Sequence, residues 1–468
     1  MKCKGRDPST GKTIELEFDR AILSVTAGAA RSREPVYISP GFIDLQVNGC
    51  AGVDYNSPTE SIERIGESIR ALHSTGVTRF FPTVITGAPE EMLGALRNLA
   101  RAKETLEEGI SIEGFHVEGP HISPEDGPRG AHPARWVRRP DLDEFRRWQE
   151  AANGQVRLVT LSPEWPESRR YIEHITSKGV VASIGHTKAD RRQIQDAVSA
   201  GATLSTHLGN GAHASLPRHP NYLWEQLAED KLSASFIADG LHLPDSFLRV
   251  AVRAKGMGRS ILVTDAVAPA LCAPGAYRLG EVEIELRADG RVVMRGGERL
   301  AGSSLRMDYA ISNVMRAANL SLGQAIDMAT KNPARAGRIA GRDRGLEVGD
   351  RGDLVRFVVE AQTVRRAPPA ESGTASRRTP FCASSGERTG PTRHQLSETR
   401  EGDAESGSVV RPSSSEARTG PTRPHEPSET REGDAESGSV VRASSSGTGR
   451  LRVIETFVSG RRVYCAAG

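Results

Sequence analysis

Four short motifs place ionisable side chains directly behind apolar runs: HVEGP with His116 and Glu118, IGHT with His186, STHLGN with His207, and VTDA with Asp265. One carboxylate and two imidazoles from three strand ends can hold a divalent metal with positions left open. Water in such a position becomes acidic enough to act as a nucleophile near neutral pH. A carboxylate that is not a ligand, here Asp265, can move protons beside it. A single buried histidine is more often a hydrogen-bonded structural residue. Three candidate ligands and an aspartate in order at successive strand ends point to a metal hydrolase.

The elements that must carry these groups alternate along the chain. TRFFPTVIT, ISIEGFHVEGP, QVRLVTLSPE, GVVASIGHT, ATLSTHLGN, LSASFIADG and SILVTDAV read as buried strands. Polar–apolar segments such as PEEMLGALRNLARAKETL and ADRRQIQDAVSAGA read as helices between them. The alternation predicts parallel βα units. Polar residues just past the apolar runs favour a (β/α)8 barrel, whose sites lie at the strand C-termini. A doubly wound open sheet accounts for the alternation almost as well.

The flanks differ. IELEFD and AILSV near the start, and GLEVGDRGDLVRFVV and LRVIETFVSGRRVY near the end, alternate in the manner of strands. They predict a small β-sandwich domain built from both chain ends. The expected division is a β-domain part over 1–39, the barrel over 40–340, further β-domain over 341–360, an insertion over 361–449 and final strands over 450–468. The insertion is poor in large apolar residues and carries a tandem repeat. RTGPTR occurs at 388–393 and 418–423, and SETREGDAESGSVVR at 397–411 and 428–442. Such a composition cannot offset its ordering entropy, so disorder is expected.

The 468 residues carry a formal net charge of +3, with Lys+Arg 62 and Asp+Glu 59, which gives no drive toward nucleic acid or membrane. The five cysteines, Cys3, Cys50, Cys272, Cys382 and Cys465, form neither a disulfide framework nor a CxxC site. With a polar N-terminus and no long apolar run, a cytoplasmic protein without a membrane span is expected.

PGFIDLQVNG (40–49), GFHVEGPHISPEDGPRGAH (114–132), LSPE (161–164), GHTKAD (185–190), THLGN (206–210), IADGLHLP (237–244), VTDAVAPA (263–270), LAGSSLRMD (300–308) and KNPARAGRIAG (331–341) occur in order. Together they resemble the N-acetylglucosamine-6-phosphate deacetylase family of the amidohydrolase superfamily. The resemblance runs over about 36–357 and again at 451–465. It implies a metal-dependent barrel that deacetylates N-acetyl-D-glucosamine 6-phosphate. It makes Glu118, His186 and His207 metal ligands and Asp265 the catalytic acid/base. His132 is expected to steady the oxyanion. Ala131, Asn210, Gly211, His242 and Leu300–Ala301–Gly302 are expected to line the substrate pocket, with Asp239 orienting His242. Arg218 matches an arginine that reaches the phosphate, in some members from the neighbouring subunit, which implies a homodimer.

Many superfamily members carry HxH on the first barrel strand; this chain has Gln46-Val47-Asn48. Alternate residues share a face, so both amides are expected to point inward, as remnants of a second metal position. The resemblance thus implies one divalent ion per subunit, with Zn²⁺ expected and Fe²⁺, Co²⁺ or Mn²⁺ also suited. The family's THLxNAM reads THLGNGAH here. Gly209 and Gly211 are expected to loosen that loop, and His213 is an added imidazole. Two other readings stay open: a deacetylase of N-acetylgalactosamine 6-phosphate or another amidohydrolase, and a non-catalytic barrel bearing an interaction tether.

Overall fold

Near-continuous apolar runs suit strands covered on both faces, and eight of them build one parallel sheet: β1 Phe42–Val47, β2 Val77–Ile85, β3 Phe115–Glu118, β4 Val156–Leu161, β5 Val181–Ile184, β6 Leu204–Ser205, β7 Ser233–Ile237 and β8 Ser260–Val263. The computed structural model of the chain describes residues 1–29, 35–361 and 449–466. Each strand leads to a helix: α1 Ile62–His73, α2 Pro89–Thr105, α3 Leu142–Ala151, α4 Ser168–Ser177, α5 Arg191–Ser199, α6 Tyr222–Ala228, α7 Asp245–Lys255 and α8 Met307–Ala318. The helices begin where the local chemistry dictates. Ser61 caps α1 by accepting from the Arg64 N–H, and Asp190 and Gln193 form a reciprocal capping box on α5.

The sheet closes. The Asp265 N–H donates to the Gln46 carbonyl at 3.0 Å and the Asn48 N–H to the Ala266 carbonyl at 2.7 Å, joining the end of β8 to β1. This closure excludes the doubly wound alternative and makes the protein a (β/α)8 barrel.

Both chain ends contribute to one seven-stranded sheet, in the spatial order Arg461–Cys465, Gly449–Val458, Leu354–Ala361, Tyr37–Pro40, Lys2–Arg6, Thr13–Phe18, Ile22–Ala27. Phe18 and Phe457 lie four strands apart in that order, yet their rings meet edge-on at 5.3 Å. Neighbouring strands are about 4.8 Å apart, so the sheet curls over itself. It thereby encloses Leu16, Phe18, Ile22, Ile38, Leu354 and Phe457. This single curled sheet fills the place expected for a sandwich. Ala361 pairs directly with Gly449, so the repeat-bearing segment connects two adjacent antiparallel strands. The expected disorder of that segment falls outside the described residues.

A third sheet was not anticipated. Gly275–Leu279, Val282–Leu286 and Val292–Met294 form an antiparallel meander between β8 and α8. Among the described residues no helix is long and apolar enough to cross a membrane.

Asp353, fully buried, ties the curled sheet to the barrel. It accepts from Arg79 of β2 at 2.8 and 3.1 Å, from Arg342 at 2.6 Å and from the Ser459 N–H at 2.7 Å. Burial alone would raise its pKa, but Arg342 and Arg79 hold it down at about 2. Since the folded value lies below the unfolded one, this stabilisation is present above about pH 4 and is lost as pH falls toward 2. Asp353→Asn leaves the buried Arg342 guanidinium without its ion-pair partner and Arg79 with Glu113 alone, at 3.8 Å. It is expected to cost roughly 3–5 kcal/mol at neutral pH, read from denaturant unfolding, with the deficit shrinking in acid. Equal unfolding midpoints at pH 7 would show that the ion cluster does not hold the two parts together.

Candidate active site

Glu118 ends β3, while His186, His207 and Asp265 each stand two residues beyond β5, β6 and β8. All four therefore sit at the C-terminal mouth of the barrel. The chain bends sharply there: His186, His207 and Asp265 have φ of 50°, 29° and 51°. A left-handed conformation costs a non-glycine residue about 1–2 kcal/mol. Three such residues at one mouth mark a place where side-chain aim outweighs backbone comfort.

The aim converges. His207 Nε2 lies 2.8 Å and His186 Nε2 3.2 Å from Glu118 Oε1, and the two nitrogens are 3.1 Å apart. Ligand atoms about 2.1 Å from a shared ion stand roughly 3–3.5 Å from one another, so these three atoms surround a point suited to a cation. His186 Nδ1 lies 2.8 Å from the Pro128 carbonyl. A proton held there leaves the Nε2 lone pair facing the cluster. Burial would raise the Glu118 carboxyl, but hydrogen bonds from His186 and His207 hold it well below its usual range. Burial would lower His207, yet Glu118 raises it. Both shifts say that the centre of the cluster favours positive charge.

Asp265 sits beside this centre. Its Oδ1 accepts from Gln46 Nε2 at 3.0 Å and Asn48 Nδ2 at 2.7 Å, and the same Gln46 nitrogen donates to Glu118 at 3.0 Å. The two amides of β1 do point inward, where they hold the carboxylates in place. Burial, and then the Glu118 charge, push Asp265 up to about 6.

A cavity of about 470 Å³ opens over the cluster. Asn48, Glu118, His132, His186, His207 and Asp265 line it, as do Ala131, Asn210, Gly211, His242 and Leu300–Gly302. A neighbouring cavity of about 700 Å³ shares Ile85 and Leu279 but none of the ionisable cluster. His132 lies 3.3 Å from His186 through Nε2 and 2.8 Å from Thr86 Oγ1 through Nδ1. His242 Nδ1 is 2.7 Å from Asp239 Oδ2, as the expected orienting role requires. Arg218 is exposed and does not line the cavity of its own chain.

Gly211 does more than loosen its loop. At φ 54° it lies against the His186 ring, and a Cβ there would come within 2.6 Å of Nδ1. The added His213 bridges loops, with Nδ1 3.0 Å from the Tyr222 hydroxyl and Nε2 3.0 Å from Glu125. His116, two residues before Glu118 on the same strand face, lies one layer deeper. Its ring bonds Thr160 and Thr83 and takes no part in the cluster. Asp126, Arg299 and Leu279 line the cavity without having been singled out. The alternation of Val282, Ile284 and Leu286 was the available signal for the meander that precedes Arg299.

A closed parallel barrel with a buried carboxylate–imidazole cluster at its C-terminal mouth defines a metal-dependent hydrolase of the amidohydrolase class. The pattern of the amidohydrolase family matches residues 37–372. The chain is 33% identical over 319 residues to the N-acetylglucosamine-6-phosphate deacetylase of Bacillus subtilis, covering 68% of this chain and 79% of the relative. It is 35% identical over 332 residues to the human deacetylase of that name, covering 69% and 79%. The solved structure of the N-acetyl-D-glucosamine-6-phosphate deacetylase of Mycobacterium smegmatis in complex with N-acetyl-D-glucosamine-6-phosphate superposes with a TM-score of 0.67 at 30% identity. That match covers 74% of this chain and 90% of the other. The chain belongs to the amidohydrolase family and, within it, to the N-acetylglucosamine-6-phosphate deacetylases.

Glu118, His186 and His207 offer the chemistry of a divalent-ion site. His186→Ala is expected to weaken Zn²⁺ or Co²⁺ binding more than about tenfold, measured by calorimetry on protein freed of metal. Unaltered affinity and stoichiometry would remove His186 from the ligand set.

Proposed function

We infer that the chain hydrolyses N-acetyl-D-glucosamine 6-phosphate to D-glucosamine 6-phosphate and acetate, a step of amino-sugar catabolism. One observation carries the reading. Glu118, His186 and His207 converge beside Asp265 in a cavity, in a chain about a third identical to deacetylases of that substrate.

Glu118, His186 and His207 would hold a divalent ion, which when bound would supply Lewis acidity to a water molecule and to the amide carbonyl. Asp265, fixed by Gln46 and Asn48, takes a proton from the attacking water as its oxygen bonds to the acetyl carbon. Asp265 then delivers that proton to the nitrogen as the C–N bond breaks, because an amide nitrogen leaves poorly unless protonated. His132 is assigned to the carbonyl oxygen. Burial, then the neighbouring His186, depresses its pKa to about 3, so its ring is neutral at pH 7. Its Nδ1 lies 2.8 Å from Thr86 Oγ1, and its Nε2 faces the cluster, where as an N–H it can steady the oxyanion.

Zn²⁺ is the ion we assign, with Fe²⁺, Co²⁺ and Mn²⁺ compatible with the same ligands. Asn210, Gly211, Ala131, His242 and Leu300–Gly302 are assigned to substrate. Arg218, exposed outside its own cavity, is assigned to the phosphate in a neighbouring subunit of a homodimer. Cys3, Cys50, Cys272 and Cys465 are free thiols, in keeping with a reducing cytoplasm.

The substrate assignment is tested by acetate release from the 6-phosphates of N-acetylglucosamine and N-acetylgalactosamine, with the glucosamine epimer expected to turn over faster. Hydrolysis of neither, alongside hydrolysis of an acyl amino acid, overturns it. Asp265→Asn is expected to keep the ion while kcat falls roughly a hundred- to ten-thousandfold. Metal analysis run beside kinetics checks both halves, and undiminished kcat would take the proton-transfer role away from Asp265.

A further inference from the structure

The substrate read above ends in a phosphate, which a cation supplied by the cavity's own chain would bind through charge-assisted hydrogen bonds. Among the described residues, the groups lining the cavity include Glu118, Asp126, Asp265 and five histidines, and only one Lys or Arg side chain: Arg299. Arg299 stands immediately before Leu300–Gly302, at the exit of the meander that follows β8. Its guanidinium has two partners. Nη1 donates to Asp126 Oδ1 at 2.8 Å and to the Gly130 carbonyl at 3.2 Å, and Nη2 donates to Asp126 Oδ2 at 2.9 Å.

These bonds use the end of the fork and leave its side. A guanidinium has five N–H groups. Three are engaged, and among the described residues the Nε–H and the second Nη2–H, which share one edge, bond no protein atom. The side chain is 42% exposed and lines the cavity. An Nε/Nη2 edge matches two oxygens of a phosphate bidentately, the geometry for which arginine is suited and lysine is not. The wall on which Asp126 sits also adjoins the 210–214 loop. A Cβ on Gly127 would lie 3.1 Å from His213 Cα, and that loop lines the same cavity. A phosphate on the free edge would thus lie close to the segment assigned to substrate.

We propose that Arg299, braced by Asp126, is a phosphate-recognition residue supplied by the same chain that supplies the ionisable cluster, and that it sets the preference for phosphorylated over unphosphorylated N-acetylhexosamine. The proposal rests on the deacetylase reading. It stands apart from the assignment of Arg218, which does not line the cavity of its own chain.

The test compares wild type, Arg299→Met and Arg299→Lys on N-acetylglucosamine 6-phosphate and on N-acetylglucosamine. Loss of a charge-assisted bidentate contact is expected to raise KM for the phosphorylated sugar roughly ten- to a hundredfold in Arg299→Met, with kcat within about threefold. The KM ratio between the two sugars should shrink by the same factor, and Arg299→Lys should recover part of it. Calorimetry with glucosamine 6-phosphate reads the same contact without turnover. Unchanged KM and affinity overturn the proposal. So does an equal loss on both sugars, which would make Arg299 a brace for the Asp126 loop and nothing more. Failure of the wild type to release acetate from the phosphorylated sugar would instead overturn the deacetylase reading, while the calorimetry still decides whether Arg299 binds the phosphate.

Discussion

Two carboxylates, Glu118 and Asp265, are buried within hydrogen-bond reach of a single amide nitrogen, that of Gln46. Removing a carboxylate from water costs several kcal/mol unless charge and hydrogen bonds compensate. His186, His207, Gln46 and Asn48 supply hydrogen bonds, but the amides bring no charge. A cation at the point where Glu118, His186 and His207 converge would compensate. The depressed Glu118 and the raised His207 express the same demand. It separates the two acids by role. Glu118 is drawn to positive charge, while burial and the Glu118 charge push Asp265 up to about 6.

The rest of the architecture keeps these groups in place. Each leaves its strand at a bend, three in left-handed backbone, and the barrel's hydrogen-bonded closure between β1 and β8 fixes Gln46 and Asn48 against Asp265. Gly211 lets a mouth loop come up to the His186 ring. The Glu125–His213 and Asp126–Arg299 contacts tether the loop that bears His132 from two sides. The Arg79–Asp353–Arg342 cluster anchors the barrel to the curled sheet, from whose two neighbouring strands the repeat-bearing segment departs.

Much of this was legible in the sequence because the signals are local. Seven of the eight barrel strands read as apolar runs, since strands covered on both faces admit few polar residues. The cluster read as chemistry because each member directly follows such a run. Gln46 and Asn48 could be aimed inward from the two-residue period of β1. Depth along a strand could not be read: His116 and Glu118 share a face, yet only Glu118 reaches the mouth. The 275–294 meander alternates plainly, but the barrel pattern claimed the stretch between β8 and α8 as a connection, and Arg299 went with it. Asp353 meets Arg79 across 274 residues, and no local pattern encodes such a contact. The phosphate partner expected from resemblance, Arg218, stands outside the cavity of its own chain, while the arginine within that cavity belongs to a segment that sequence reasoning passed over.

The central claim is that the Glu118–His186–His207 cluster exists to hold one divalent ion on which hydrolysis depends. The direct measurement strips the purified full chain with a chelator, restores Zn²⁺ or Co²⁺ stepwise, and follows bound ion and acetate released from N-acetylglucosamine 6-phosphate in the same samples. The account predicts turnover that rises in proportion to occupancy and levels off at one ion per chain. Full turnover in the stripped protein, or an ion that binds with no effect on acetate release, would contradict it.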